Sequence, residues 1–305
     1  MPTAPRLCTV TNWTSADIPD QKGRTFVVTG ANSGLGEVAA RALAAAGADV
    51  ILACRDTVKG QRVARSIGGS AQVRELDLAN LASVRAFASA VDRCDVLINN
   101  AGVMAVPKRQ TADGFEMQIG TNHLGHFALT GLLLPKITDR VVTVSSGAHN
   151  AGRIDLADLN YEHRRYERWT AYGQSKLANL LFAFELQRRL DAAGSAIKSV
   201  AAHPGYASTN LQSHTESVMD ALMALGNRFL AQSAEMGALP ELYAATSPDA
   251  VGGGYYGPGQ MFGMRGYPAP SSCSSQAKDA ETAARLWTLS EDLTGVTFDF
   301  AAATR

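Results

Sequence analysis

Short apolar runs alternate with longer alanine- and leucine-rich stretches through most of this chain, and that rhythm limits the fold more than any other feature. Six runs read as strands: RTFVVTG (24–30), ADVILACR (48–55), QVRELDL (72–78), DVLINNAG (95–102), RVVTVSS (140–146) and IKSVAAHPG (197–205). Helical patterns lie between them at 35–47, 57–69, 81–91, 114–137 and from 169 onward, several of them closed by glycine. The strands are continuously apolar rather than alternating, as in a parallel sheet covered by helices on both faces. Successive βαβ units predict an α/β fold, a Rossmann-type doubly wound parallel sheet.

Past residue 206 the rhythm loosens. ESVMDALMALGNRFLAQ and EMGALPELYAAT have helical patterns, and AKDAETAARLWTLSEDLTG reads as a last helix. VGGGYYGPGQMFGMRGYPAPSSCSS is rich in glycine, proline and serine and reads as loop around a short strand. With 305 residues the chain can bury one sizeable core. It shows no internal repeat and no linker. Residues 1–23 form an N-terminal segment, and 24–305 are expected to form a single domain with a C-terminal helical and loop elaboration.

Composition excludes several functions. The formal net charge is zero, whereas a nucleic-acid binder shows a basic bias. The four cysteines lie far apart, without the spacing of a zinc site or a disulfide framework. The six histidines form no HExxH, so no metal is expected. No run reaches the roughly 18 apolar residues that span a bilayer. Residues 1–23 are polar and proline-bearing, without a signal pattern. The expected location is cytoplasmic, and the NWT triplet at Asn12 reads as chance.

Chemistry-bearing residues cluster at strand ends. VVTGANSGLGEVAAR follows a strand and opens a helix. Gly30, Gly34 and Gly36, with Asn32, Ser33 and Leu35 between them, form a loop where backbone can approach a pyrophosphate at a helix N-terminus. The spacing differs from GxGxxG, and a tight strand-to-helix turn is the plainer alternative. Asp77 and Asn99 end the third and fourth strands, where an open α/β sheet binds its ligand; each could equally be a turn or cap residue. The second strand ends in Arg55 and Asp56. An arginine suits a ribose 2′-phosphate and a carboxylate suits a 2′-hydroxyl. Arg55 comes first and Asp56 can cap the next helix, so NADP(H) is favoured over NAD(H).

Tyr172 and Lys176 stand one helical turn apart. Tyrosine has a free pKa of ~10. A neighbouring ammonium stabilises the phenolate and makes the side chain a usable acid or base. A surface tyrosine and lysine at this spacing also occur by chance. The serine pair Ser145–Ser146 ends a strand just before this helix, and Asn122 lies inside a helical stretch although asparagine forms helix poorly.

TGxxxGxG (29–36), NNAG (99–102), TN (121–122), VSS (144–146), YxxxK (172–176) and PG (204–205) occur in the order found in short-chain dehydrogenases/reductases. Over about residues 23–295 the chain resembles that family. GANSGLG, LACRD, NHLGHF and RVVTVSS are similar to its retinol dehydrogenase, WW-domain oxidoreductase and protochlorophyllide reductase branch. The resemblance implies an NADP-dependent oxidoreductase that interconverts a carbonyl and an alcohol. It implies a catalytic set of Asn122, Ser146, Tyr172 and Lys176, with Ser146 chosen over Ser145. Asn122 would hold a water that links the lysine to solvent. Asp77 and Leu78 match the adenine pocket; Asn99, Ala101 and Gly102 match the adenosine-ribose segment. Pro204, Gly205 and Thr209 match the nicotinamide side, and Tyr172 and Lys176 also touch cofactor.

Ser146 and Tyr172 stand 26 positions apart, about twice the usual spacing in the family, as in the retinol dehydrogenase-like branch. Substrate walls are expected at 147–168, 206–232 and 252–275. Met219, Leu222, Met223, Leu225, Phe229 and Leu230 could form a lid for a lipophilic substrate or simply pack in the core. Family members are commonly dimers or tetramers, so a homo-oligomer is possible. The alternative from another functional class is an NADPH-binding sensor without turnover, which would not need to keep the Asn, Ser, Tyr and Lys set.

Overall fold

The structure, a computed structural model, describes residues 12–206 and 232–304. Eight strands form one sheet: β1 (Thr25–Thr29), β2 (Asp49–Cys54), β3 (Ala71–Glu75), β4 (Cys94–Asn99), β5 (Ile137–Val144), β6 (Lys198–Ala202), β7 (Tyr255–Gln260) and β8 (Arg265–Pro270). Their order is β3-β2-β1-β4-β5-β6-β7-β8. The first seven run parallel and β8 pairs antiparallel to β7. The order reverses between β1 and β4, so a crevice opens at the carboxyl ends of these strands.

The helices are α1 (Gly34–Ala45), α2 (Thr57–Ile67), α3 (Leu81–Ala90), α4 (Gly125–Leu133), α5 (Arg168–Ala192), α6 (Ala234–Thr246) and α7 (Ala280–Thr294). Alternate residues of each strand enter opposite layers. Phe26 and Val28 pack with Leu43 of α1, Val63 of α2 and Leu242 of α6. Val27, between them, packs with Phe87 of α3, Phe127 of α4 and Phe182 of α5. Each such side chain contributes about 1.5–3 kcal/mol by leaving water. Two-sided burial is why the inner strands are apolar without alternation; β3, at the sheet edge, is only partly buried and carries Gln72, Arg74 and Glu75.

Two expectations are corrected. The glycine- and proline-rich stretch after residue 250 holds two strands, not one, joined by a tight turn. Pro268 and Pro270 are tolerated because β8 is an edge strand that needs few donors. The helical stretch at 114–137 is also broken. A short turn, Met117–Ile119, leads into a π-turn, Gly120–Leu124, and only then into α4. Pro135 follows, and β5 already begins at Ile137.

The last helix covers α5. Trp287 of α7 lies 5.0 Å from the Phe127 ring and 5.7 Å from Phe182, and Phe298 joins at 4.4 Å. The expected helix 216–232 and its proposed lid lie almost wholly outside the described residues. Among the described residues no helix is long and apolar enough to cross a membrane.

Candidate active site

A cavity of about 380 Å³ lies in the crevice at the strand ends. The loop after β1 forms its floor. Gly30 and Gly34 have φ of +69° and +58°, which side chains adopt only with strain. Gly36 is required for a different reason. A Cβ there would stand 2.5 Å from Asn100 Nδ2 and 2.7 Å from the Gly30 oxygen. Ser33 precedes α1 but makes no cap hydrogen bond through its side chain, and the positive end of the helix faces the cavity. Gly30, Asn32, Ser33, Gly34, Leu35 and Gly36 all line it. Gly36→Ala is expected to weaken NADPH binding at least about tenfold, measured by fluorescence titration; unchanged affinity would refute the close-approach role.

Arg55, Asp77, Leu78, Ala101 and Gly102 line the same cavity, as does Pro204. Asp56 turns one carboxylate oxygen to the start of α2, where it accepts from the Lys59 N–H at 2.9 Å. Arg55, Asp56 and Lys59 all line this end of the cavity, with the other Asp56 oxygen 3.5 Å from Lys59 Nζ; the sequence reading had passed over Lys59. Asn99 is not brought to the cavity. It is fully buried and its amide donates to Thr130 Oγ1 at 3.0 Å. Asn100 lines the cavity instead and donates through Nδ2 to the Thr29 carbonyl at 2.7 Å. Thr209 lies outside the described residues.

Tyr172 and Lys176 close the far end of the cavity from α5. Lys176 Nζ donates to the Val144 carbonyl at 3.2 Å and stands 5.8 Å from the centre of the Tyr172 ring. Burial pushes the phenol up to about 12, and a hydrogen bond with Ser146 opposes that rise. Burial pulls the lysine down to about 8. Ser146 thus touches the phenol directly, while the Lys176 ammonium stands off at 5.8 Å from the ring centre. Ser145 also lines the first cavity, but its hydroxyl hydrogen is donated to the Lys176 carbonyl at 2.8 Å. Asn122 sits behind the cavity. Its amide accepts from the Val103 N–H at 2.8 Å and donates to the Val103 carbonyl and to Ser175 Oγ, both at 2.9 Å.

On the other side of Ser146 a second cavity, about 540 Å³, runs toward β7 and β8. Gly205 lies here rather than in the first cavity, with Tyr206, Tyr255, Pro258, Phe262 and Met264. Its two histidines are saturated. His149 Nδ1 donates to the Ser146 carbonyl at 2.7 Å, and its Nε2 accepts from the Ser274 N–H at 3.3 Å. His203 Nδ1 accepts from the Gly205 N–H at 3.2 Å, and its Nε2 pairs with Ser271 at 2.9 Å. Burial pulls both below the usual histidine range. They hold the loops of Ser146 and Gly205 as neutral rings.

The family model for short chain dehydrogenase matches residues 24–219. Retinol dehydrogenase 13 of Homo sapiens is 44% identical over 294 residues, covering 90% of this chain and 85% of that protein. Polyprenol dehydrogenase of Mus musculus is 41% identical over 296 residues, covering 91% and 86%. A solved structure of an uncharacterized protein from Mycobacterium Paratuberculosis is 57% identical, with a TM-score of 0.84, covering 95% of this chain and 100% of that one. The chain belongs to the short-chain dehydrogenase/reductase family, in its retinol dehydrogenase-like branch, and is an NAD(P)-dependent dehydrogenase/reductase.

Proposed function

We propose that this short-chain dehydrogenase/reductase interconverts a lipophilic aldehyde or ketone and its alcohol with NADP(H), using Tyr172 as acid and base. The observation that carries the reading is the hydrogen bond between Tyr172, which lines one cavity, and Ser146, which lines the other. The glycine-floored cavity ends at Tyr172 and Lys176, and the second begins at Ser146. The residues fit a dinucleotide: the floor has no room for a Cβ at Gly36, and α1 presents its N-terminus.

The nicotinamide ring, when bound, supplies or accepts the hydride. The remaining work belongs to this chain. Ser146 and Tyr172 converge on a carbonyl oxygen entering from the second cavity. Ser146 donates a hydrogen bond and stabilises the charge that develops on that oxygen. Tyr172 is a neutral phenol near pH 7 and is ready to donate its proton in reduction. Lys176, held down to about 8, is still mainly ammonium at that pH and favours the phenolate that results. Alcohol oxidation runs the same proton in reverse.

Cofactor preference rests on Arg55 and Lys59 at the end of the cavity where a 2′-phosphate would lie, the Asp56 carboxylate there being engaged by the Lys59 N–H and ammonium. Arg55→Ala is expected to weaken NADPH about 10- to 100-fold and leave NADH nearly unchanged. Comparable NADH and NADPH affinities in the unmodified protein would overturn the NADP reading. The lipophilic class is supported by the tyrosines, Pro258, Phe262 and Met264 around the second cavity, and by the named relatives. The test is cofactor-coupled turnover across aldehydes and ketones of increasing chain length. A preference for small polar carbonyls would contradict it. A reduced cytoplasm suits the free, buried thiols of Cys54 and Cys94.

A further inference from the structure

One histidine of α4 joins three segments that meet around the cavity. His126 is 1% exposed and stands one turn beyond Asn122. Its Nδ1 lies 3.0 Å from the Asn122 carbonyl oxygen, and its Nε2 lies 2.9 Å from Thr29 Oγ1. A carbonyl only accepts, so Nδ1 carries the hydrogen. Burial is the main cause that pulls His126 down to about 4, with the Lys176 charge adding to it. The ring is neutral, so Nε2 accepts and the Thr29 hydroxyl donates. The competing acceptor for that hydroxyl, the Ile98 carbonyl, is farther away at 3.3 Å.

Thr29 Oγ1 also accepts from the Asn100 and Ala101 N–H groups, both at 2.9 Å. A single buried line of hydrogen bonds therefore runs from the Asn100–Ala101 backbone through Thr29 and His126 to the Asn122 backbone. Asn122 lies in the π-turn, where backbone pairing shifts to i+5 and Gly125 N–H reaches the Gly120 carbonyl. His126 ties that turn to a neighbouring segment through the Asn122 carbonyl. The Asn122 side chain is separately tied to Val103 and Ser175 on the Tyr172 helix.

We infer that His126 is a positioning residue that registers the cofactor-contacting Asn100–Ala101 segment against Asn122 and the Tyr172–Lys176 helix. It touches neither cofactor nor substrate. Its effect passes through Thr29 on one side and the Asn122 backbone on the other. This rests on the reading of the site given under Proposed function.

The test uses the full chain and four variants: His126→Leu, His126→Asn, His126→Gln and Thr29→Val. Nitrogen-15 spectra of the apo protein, with the His126 signal assigned as the one missing from His126→Leu, should show His126 in the Nδ1–H tautomer and not titrating between pH 8 and 5; an Nε2–H tautomer at His126 overturns the inference. His126→Leu is expected to weaken NADPH binding about tenfold and lower kcat about tenfold, with substrate KM within about twofold. Combined with Thr29→Val it should do little further harm, because both changes cut one line. Full additivity, or wild-type kcat and NADPH affinity in the folded fraction of His126→Leu, overturns it. If the leucine variant does not fold, the other two decide. Asparagine can keep the Asn122 bond and glutamine the Thr29 bond, so each should fall between wild type and complete loss; both matching wild type overturns the inference. If the unmodified protein turns over no carbonyl at all, the functional reading fails, while the tautomer and the Thr29 coupling in NADPH affinity still decide the role of His126.

Discussion

Tyr172→Phe is expected to lower kcat/KM by about 10²- to 10⁴-fold, the usual contribution of a positioned proton donor, while NADPH still binds within a few-fold of wild type. The phenol is buried at the junction of the two cavities and hydrogen-bonded by Ser146, so only its hydroxyl is lost. The pH profile gives a second reading of the same group. Reduction needs a protonated Tyr172 and a charged Lys176. Burial lifts the tyrosine to about 12 and lowers the lysine to about 8. Reduction should then be level through neutral pH and fall above about 8 as the lysine loses its proton, well before the tyrosine titrates. Lys176→Met should remove that limb along with most of the rate. A phenylalanine variant with wild-type turnover would assign the proton to another group and would return the chain to the sensor alternative.

The parts of this site that the sequence made legible are those where residue type and chain position carry the same message. β1, β2, β4, β5 and β6 could be read because burial on both faces requires uninterrupted apolar runs, and β3, a partly exposed edge strand, only by its place in the alternation. The glycine loop could be read because strand, glycines and helix occur in sequence. Position within a strand end was harder. Asn99 and Asn100 are adjacent and identical in type, yet one lies in the core against Thr130 and the other lines the cavity. Only the pleat at the end of β4 separates them. β8 was hidden by two prolines and a glycine, which composition assigns to loop unless the strand is known to be an edge. The π-turn left one trace, an asparagine inside a helical pattern. His126 left none, since a histidine in the apolar run of α4 looks like ordinary core. Lys59 was passed over because a charge in the first turn of α2 looks like a solvated surface.

Glu241 is expected to make this protein less stable as pH rises from about 5 to about 8, and Glu241→Met should abolish that loss. α6 is packed along nearly its whole length, with every residue from Gly237 to Thr246 buried. The glutamate is 3% exposed. Among the described residues neither carboxyl oxygen has a hydrogen-bond partner, and burial alone raises the group to about 8. The direction of the effect follows from proton counting. Below about 4.5 the carboxyl is protonated in folded and unfolded chains alike, so it adds no pH dependence. Between that value and about 8 the unfolded chain releases its proton while the folded chain retains it, and the folded state loses ground with each pH step. Above about 8 both forms are ionised and the loss levels off. Its full size is on the order of a few kcal/mol, enough to move a melting midpoint by several degrees in a chain of this length. Methionine matches the length of glutamate, neither ionises nor requires a partner, and suits an apolar setting. The variant should melt close to wild type at pH 5 and clearly above it at pH 9. Parallel melting curves for the two proteins across that range would show that Glu241 is solvated or partnered in solution, and the buried acid would then be no part of the stability of α6.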